Sequence, residues 1–402
     1  MKTPRSLSAR LDSLGVFLTE TRWLWAPPTF LTRPAWAARD PALYRWATQC
    51  SREDLDKHEA SPERIPGCPD HFRDLIRHGR SLAAFSSLDG GHLDAPEWQS
   101  RHINGRKWSQ IKHFGRCVLH HLTPGGPPIV DWCAGKGHLG RSLARWSQKT
   151  AHAIEWDDAL CQSGRRLAED SGMDVRFHLL DVRHRERLSA VPAGPLVALH
   201  ACGDLHLAAL RWAVEVNAPS VFVAPCCFHA IAEGGQGPLS AVGKRHGLVM
   251  DRGVLRLPSA EMRVPAPSRQ RRRLRELHWR AGAAVLRRKA TGEVGYRPLP
   301  SMPKSWFQMD FEAFIARVRE RVGLTVPHQW DTDATLKRAA AWVHASRGAA
   351  MVRGALREPI EAWLVVDRAR WLEERTKMAV RVGQLCPRSL TPRNLLIVGV
   401  HG

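Results

Sequence analysis

Between residues 129 and 227 the chain alternates short apolar runs with helical periods. IVDWCA precedes HLGRSLARWSQ, AHAIEW precedes ALCQSGRRLAEDSG, VRFHLLDV follows, PLVALHAC precedes LHLAALRWAVEVNA, and SVFVAPCC closes the series. Strands that read as continuous apolar runs are buried on both faces, and helices between them make the sheet parallel. Five such strands are expected here. Two later runs, IEAWLVVD (360–367) and NLLIVGV (394–400), read as the last strands of the same sheet. The expected fold class is α/β, a parallel sheet with helices on both faces.

Four stretches follow from this pattern. Residues 1–100 mix short helical patterns with prolines, and Trp23, Trp25, Trp36 and Trp46 are expected to pack a helical region. Residues 101–234 form the core, opened by a helix at roughly 106–122 that carries Lys107, Gln110 and His113. Residues 235–350 lose the strand rhythm and read as a basic, mainly helical insertion, and 351–402 complete the sheet. A chain of 402 residues with 44% hydrophobic content can bury a core of that size.

Charge narrows the partner. Lys plus Arg number 60 against 39 Asp plus Glu, a formal net charge of +21, and 49 of the cations are arginine. Guanidinium forks match phosphate oxygens and stack on bases, so a polyanion, RNA above all, is the expected partner. GC-rich codon usage also raises arginine content and is the competing explanation. The block RQRRRLRELHWRAGAAVLRRK (269–289) is the expected contact: Arg269–Arg273, Arg287, Arg288 and Lys289 would track phosphates, with Trp279 available for stacking. No apolar run reaches the roughly 18 residues of a membrane span. Nine irregularly spaced cysteines suit free thiols, and a cytoplasmic location is expected.

The stretch Asp131-Trp132-Cys133-Ala134-Gly135-Lys136-Gly137-His138-Leu139-Gly140 follows the first strand. Lys136 is followed by Gly137 rather than Ser or Thr, which excludes a nucleoside-triphosphate P-loop. Gly135, Gly137 and Gly140 satisfy the dinucleotide spacing G-x-G-x-x-G. The stretch also fits the acid-x-Gly-x-Gly-x-Gly turn that holds S-adenosylmethionine, with Cys133 in the first glycine's place. The later strand ends favour this cofactor. Glu155 lies about 20 residues on, where an acid chelates a ribose diol. Asp181 is expected to end the third strand, where an adenine amino group would find an acceptor. A carboxylate at Asp131 would meet the ligand's ammonium, directly or through water. The expected cofactor contacts are Asp131, Cys133, Ala134, Gly135, Gly137, His138, Glu155, Asp181, Val182, His200 and Gly203.

DWCAGKGHLG, ALHACGDLH and APCCFH, in that order, resemble the class I methyltransferase-like 25 family, as do EPIEAWLVVDRARWLEE and TPRNLLI near the C-terminus. The resemblance covers about residues 100–402. It implies a Rossmann-like methyltransferase fold and S-adenosylmethionine binding, without implying one substrate. Cys226, Cys227 and His229 also resemble part of a Cys-Cys-His-His stretch in a eukaryotic tRNA ribose methyltransferase family, with Phe228 interrupting the run.

Ligands of parallel sheets bind beyond the carboxyl ends of the strands. His200, Cys202 and Gly203 end the fourth strand, and Cys226, Cys227 and His229 the fifth, so the two groups should be neighbours. His200 and His229 are the candidate general bases, and Cys226 and Cys227 complete the catalytic candidates. No metal is expected: consecutive strand residues point to opposite faces, which separates Cys226 from Cys227 unless the chain bends. Asp204 is expected to N-cap the helix that follows. The expected function is S-adenosylmethionine-dependent methylation of tRNA or rRNA. The alternatives are an RNA-binding protein with a vestigial cofactor pocket, or a methyltransferase acting on a protein or small molecule.

Overall fold

A computed structural model describes residues 6–88, 91–232, 235–259, 267–293 and 296–401. Seven strands form one sheet: β1 (Ile129–Trp132), β2 (Ala151–Glu155), β3 (Val175–Leu179), β4 (Leu196–Cys202), β5 (Ser220–Cys226), β6 (Met378–Gln384) and β7 (Leu395–His401). Their order is β3-β2-β1-β4-β5-β7-β6. β1 to β5 run parallel, while β7 is antiparallel to both β5 and β6. The order reverses direction at β1 and β4, and that switch point is where open α/β sheets bind ligands. This is a Rossmann-like class I sheet with helices on both faces, as the apolar runs and the resemblance implied.

Burial explains those runs. Every residue of β1, β2 and β5 is buried, so both faces of these strands are covered and their sequences are mainly apolar, with Asp131, His152 and Glu155 the buried exceptions in β1 and β2. The helices Gly105–Leu119 and His138–Ser147 place Trp108, Ile111, Phe114, Leu139 and Leu143 in one cluster with Val197, Phe222 and Val398 of the sheet. From the helix Asp204–Glu215, Trp212 meets Trp132 with ring centroids 5.6 Å apart.

One strand assignment needs correction. IEAWLVVD lies inside the helix Arg357–Arg375. Ile360, Ala362, Trp363, Leu364, Val365 and Val366 are all at most 1% exposed. A helix buried all round shows no amphipathic period, so its sequence imitates a buried strand. Asp367 and Arg368, both fully buried, follow in the same helix. The Asp367 carboxylate accepts from the Leu239 and Ser240 amides and from Ser240 Oγ, and Arg368 donates to Gln236 Oε1. The strand that pairs with β7 is β6, MAVRVGQ, which the sequence reading passed over.

Residues 1–19, 79–260 and 358–402 form one compact unit and residues 20–78 and 261–357 a second. The second unit is helical. Trp36, Leu43, Phe72, Ala349 and Val352 make one of its clusters, with Trp23 and Trp46 packed against them. Leu286, Phe307, Phe311, Phe314 and Val318 make another.

Candidate active site

The turn after β1 takes three left-handed residues in alternation, at Cys133 (φ 55°), Gly135 (φ 59°) and Gly137 (φ 65°). Cys133 is the costly one, since a side chain in this region costs roughly 1–2 kcal/mol. The glycines serve different ends. A Cβ on Gly137 would lie 2.6 Å from Phe177 Cζ of β3, and one on Gly140 would lie 2.9 Å from Asp131 Oδ2. Those two glycines admit a ring and a carboxylate. A Cβ on Gly135 would meet nothing within 4 Å, so this glycine opens onto free space. Asp131 is 2% exposed, and its Oδ2 accepts from the Gly140 amide at 2.8 Å, tying β1 to the first turn of the next helix. His138 opens that helix, and its Nδ1 accepts from Arg141 at 3.1 Å. Burial, with Lys107 and Arg141 nearby, pushes His138 down to about 3, so it is neutral.

Glu155 ends β2 and is 5% exposed. Its Oε2 accepts from the Gly135 amide at 2.8 Å, and its Oε1 from the amides of Trp156 (2.9 Å) and Asp157 (3.1 Å). The Ala134 amide donates to Ile154 O at 2.9 Å, a second tie between the turn and β2. Asp181 does not end β3 as expected. The strand stops at Leu179, and the Asp181 carboxylate is held by the Arg183 guanidinium at 2.6 Å, which brings it down to about 2. Val182 beside it is buried. The Cys133 thiol is pushed up first by burial, then by Glu155, Asp131, Cys202 and Asp181, all within electrostatic reach of it.

Burial also pushes the Asp131 carboxyl up to about 7, against an ordinary value near 4. Between those pH values the folded chain holds a proton that the unfolded chain has lost. The stabilisation from that proton is therefore full at pH 4 and fades as pH rises to 7. In cofactor-free protein, the unfolding free energy of wild type relative to Asp131→Asn is expected to fall over this range, by at most about 4 kcal/mol. Denaturant unfolding at stepped pH measures it, and parallel profiles would exclude a raised Asp131.

At the tip of β4 the register with β5 shifts between Leu199 and Ala201, and His200 takes a left-handed φ of 67°. Its Nε2 lies 2.6 Å from Oε1 of Gln110, a buried residue of the helix Gly105–Leu119, while its Nδ1 is buried without a hydrogen-bond partner. With Gln110 accepting, Nε2 carries the hydrogen and Nδ1 the lone pair. Burial, then the charges of Arg393, Lys107 and Arg106, pushes His200 down to about 4. On the helix of Gln110, Lys107 is exposed and His113 bonds Gly91 O. Gly203 packs so closely that a Cβ there would lie 1.7 Å from Ala230 O. Asp204 does not cap its helix. Its Oδ2 accepts from the Ala232 amide at 2.7 Å and fixes the loop after β5.

Cys202 and Cys226 are register partners on β4 and β5, with sulfurs 3.4 Å apart. The alternation expected to separate Cys226 from Cys227 fails, because Cys227 lies just past β5 with a left-handed φ of 46°. That bend brings its Sγ within 4.8 Å of the other two. Arg393 Nη1 donates to Cys227 Sγ at 3.4 Å. S–H donation from Cys226, aided by Cys202 and Arg393, brings the Cys227 thiol down to about 5, while Cys226 moves up. His229 Nδ1 lies 3.5 Å from Ser259 Oγ. Arg393 was missed as a site residue. TPRNLLI contains it, but nothing local indicates that the residues before β7 reach the tip of β5.

The basic block forms the helix Pro267–Thr291. Arg271, Arg272, Arg273 and Lys289 are exposed there, whereas the Arg269 side chain lies outside the described residues. Two expected contacts are otherwise engaged. Trp279 is half-buried and packs edge-on against Phe311 at 5.5 Å, with its Nε1 buried and the Arg275 guanidinium 5.5 Å from the centre of its ring. Arg287 is buried and ion-paired with Glu293 at 3.6 Å. The Arg288 guanidinium lies over the Trp342 ring at 4.5 Å.

Residues 106–234 match the model of a family described as a methyltransferase domain. Among solved structures, the chain is similar to a Pyrococcus abyssi tRNA (uracil-54, C5)-methyltransferase in complex with S-adenosyl-L-homocysteine, at 18% identity over 29% of each chain with a TM-score of 0.25. It is also similar to a coclaurine N-methyltransferase bound to N-methylheliamine and S-adenosylhomocysteine, at 12% identity over 46% of this chain and 60% of that one, TM-score 0.28. A third is the mitomycin 7-O-methyltransferase MmcR, at 14% identity over 61% and 83%, TM-score 0.23. The chain thus spans less than two thirds of the first two proteins' lengths. S-adenosylmethionine is the cofactor of the methyltransferase class that residues 106–234 match. The residues present suit it: Gly135 leaves a cradle open, and buried acids flank that cradle. No helix among the described residues is long and apolar enough to cross a membrane.

Proposed function

We propose that this chain methylates RNA, tRNA or rRNA, with S-adenosylmethionine as donor, and that it belongs to the methyltransferase-like 25 family it resembles. The observation that carries the reading is the open cradle at Gly135, whose amide is held by Glu155. Asp131, Cys133, Ala134, Gly135, Gly137 and His138 would hold the amino-acid end and sulfur of the cofactor. Glu155 would hold its ribose, Asp181 and Val182 its adenine, and His200 and Gly203 its far side. When bound there, the cofactor supplies an electrophilic sulfonium methyl.

The protein's own contribution is then alignment and exclusion of water. His200 presents Nδ1 as a neutral hydrogen-bond acceptor, with Gln110 fixing its tautomer. Cys226, Cys227 and His229 line the same strand tips and form the acceptor side. The RNA assignment draws on the charge of +21 and on Arg271, Arg272 and Arg273, exposed along one helix. Nucleoside mass spectrometry of tRNA and rRNA from a deletion strain tests it. One methylated nucleoside should disappear and return on complementation. An unchanged profile would reject RNA and favour a protein or small-molecule acceptor.

A further inference from the structure

We propose that Cys202, Cys226 and Cys227 bind a thiophilic divalent cation of the zinc class, with Arg393 as the charge partner of the site. A zinc–thiolate bond of about 2.3 Å sets tetrahedral sulfur–sulfur edges of roughly 3.8 Å. The three sulfurs already fall around that value, with one pair at 3.4 Å and all within 4.8 Å. Small rotamer changes would equalise the edges. The cluster draws on two strands and the bend beyond one of them, so the sheet sets its spacing before any ion arrives.

Charge favours the same occupant. Three thiolates around one divalent ion carry a net charge of −1. The Arg393 guanidinium, already donating to Cys227 Sγ, offsets that charge and supplies the N–H···S contact that supports metal thiolates. Soft sulfur donors select zinc or its congeners over magnesium or calcium. Three protein ligands leave one position open, the pattern of catalytic rather than structural zinc. A ligand atom of the substrate could be polarised at that position. The ion site goes beyond the proposed function, and its test does not depend on methyl transfer.

The reduced, full-length protein would be purified without chelator, and its metal content measured by plasma mass spectrometry. Cobalt titration would then be followed by absorbance. One equivalent of zinc and a thiolate-to-cobalt charge-transfer band are expected in wild type. Cys202→Ser, Cys226→Ser and Cys227→Ser should each weaken cobalt binding at least about 10-fold, while Cys386→Ser leaves it unchanged. Zinc should also slow iodoacetamide alkylation of Cys227 in chelator-stripped wild type, a readout that needs no variant to fold. Absence of the band in reduced wild type, its retention in Cys227→Ser, or alkylation unaffected by zinc would each overturn the proposal.

Discussion

Replacing Gly135 with valine is expected to leave the sheet folded and to weaken S-adenosylhomocysteine binding about 100-fold or more, close to 3 kcal/mol. The two parts have separate causes. A Cβ at this position meets no atom within 4 Å, so nothing in the protein is displaced. The folding cost is the left-handed φ of 59°, which a β-branched residue tolerates poorly, at roughly 1–3 kcal/mol. The loss of affinity comes from filling the space reserved for the ligand. Gly135→Ala shares the backbone cost and fills less space, so it should bind with intermediate affinity. Thermal unfolding and calorimetric titration of both variants separate the effects. Wild-type affinity in the valine variant would show that the ligand lies elsewhere.

Glu155→Ala should be damaging in both respects. Its two oxygens accept from three backbone amides, those of Gly135, Trp156 and Asp157, and the residue is 5% exposed. Leaving buried donors without an acceptor costs about 1–3 kcal/mol each, and part of that returns as water enters. We expect a net destabilisation of about 3 kcal/mol together with loss of measurable cofactor binding. Glu155→Gln keeps one acceptor but turns an NH2 toward an amide donor. It should retain more stability than alanine while binding the cofactor no better. Denaturant unfolding and calorimetry on the pair decide the matter. Undiminished affinity in either variant would remove Glu155 from the site.

The core strands were legible because full burial leaves a continuous apolar run that short flanking helices interrupt. The same physics concealed the helix Arg357–Arg375. Its segment IEAWLVVD is buried all round, so the helical period that would distinguish it from a strand is absent. β6 is the converse case, since MAVRVGQ alternates buried and exposed residues over its first half and carries Gly383 near its end. Its weak hydrophobicity hid it.

At the candidate site, the turn and its acids could be found from spacing, because strand, turn and helix are consecutive. Longer-range contacts could not. Arg393 reaches Cys227 across 166 positions and Gln110 reaches His200 across 90. The convergence of three thiols depends on a left-handed bend at Cys227 that no local rule requires of cysteine. The contact of Trp279 with Phe311 was not legible either, since it joins two helices 32 positions apart. The pairing of residues 20–78 with 261–357 likewise joins segments with no shared pattern.

The central claim is that one adenosyl ligand fits between the glycine turn and the acids Asp131, Glu155 and Asp181. Isothermal titration of S-adenosylhomocysteine into the full-length protein tests it most directly. Saturable one-to-one binding that Gly135→Val abolishes is the predicted result. No heat from folded wild-type protein at high concentration would contradict it.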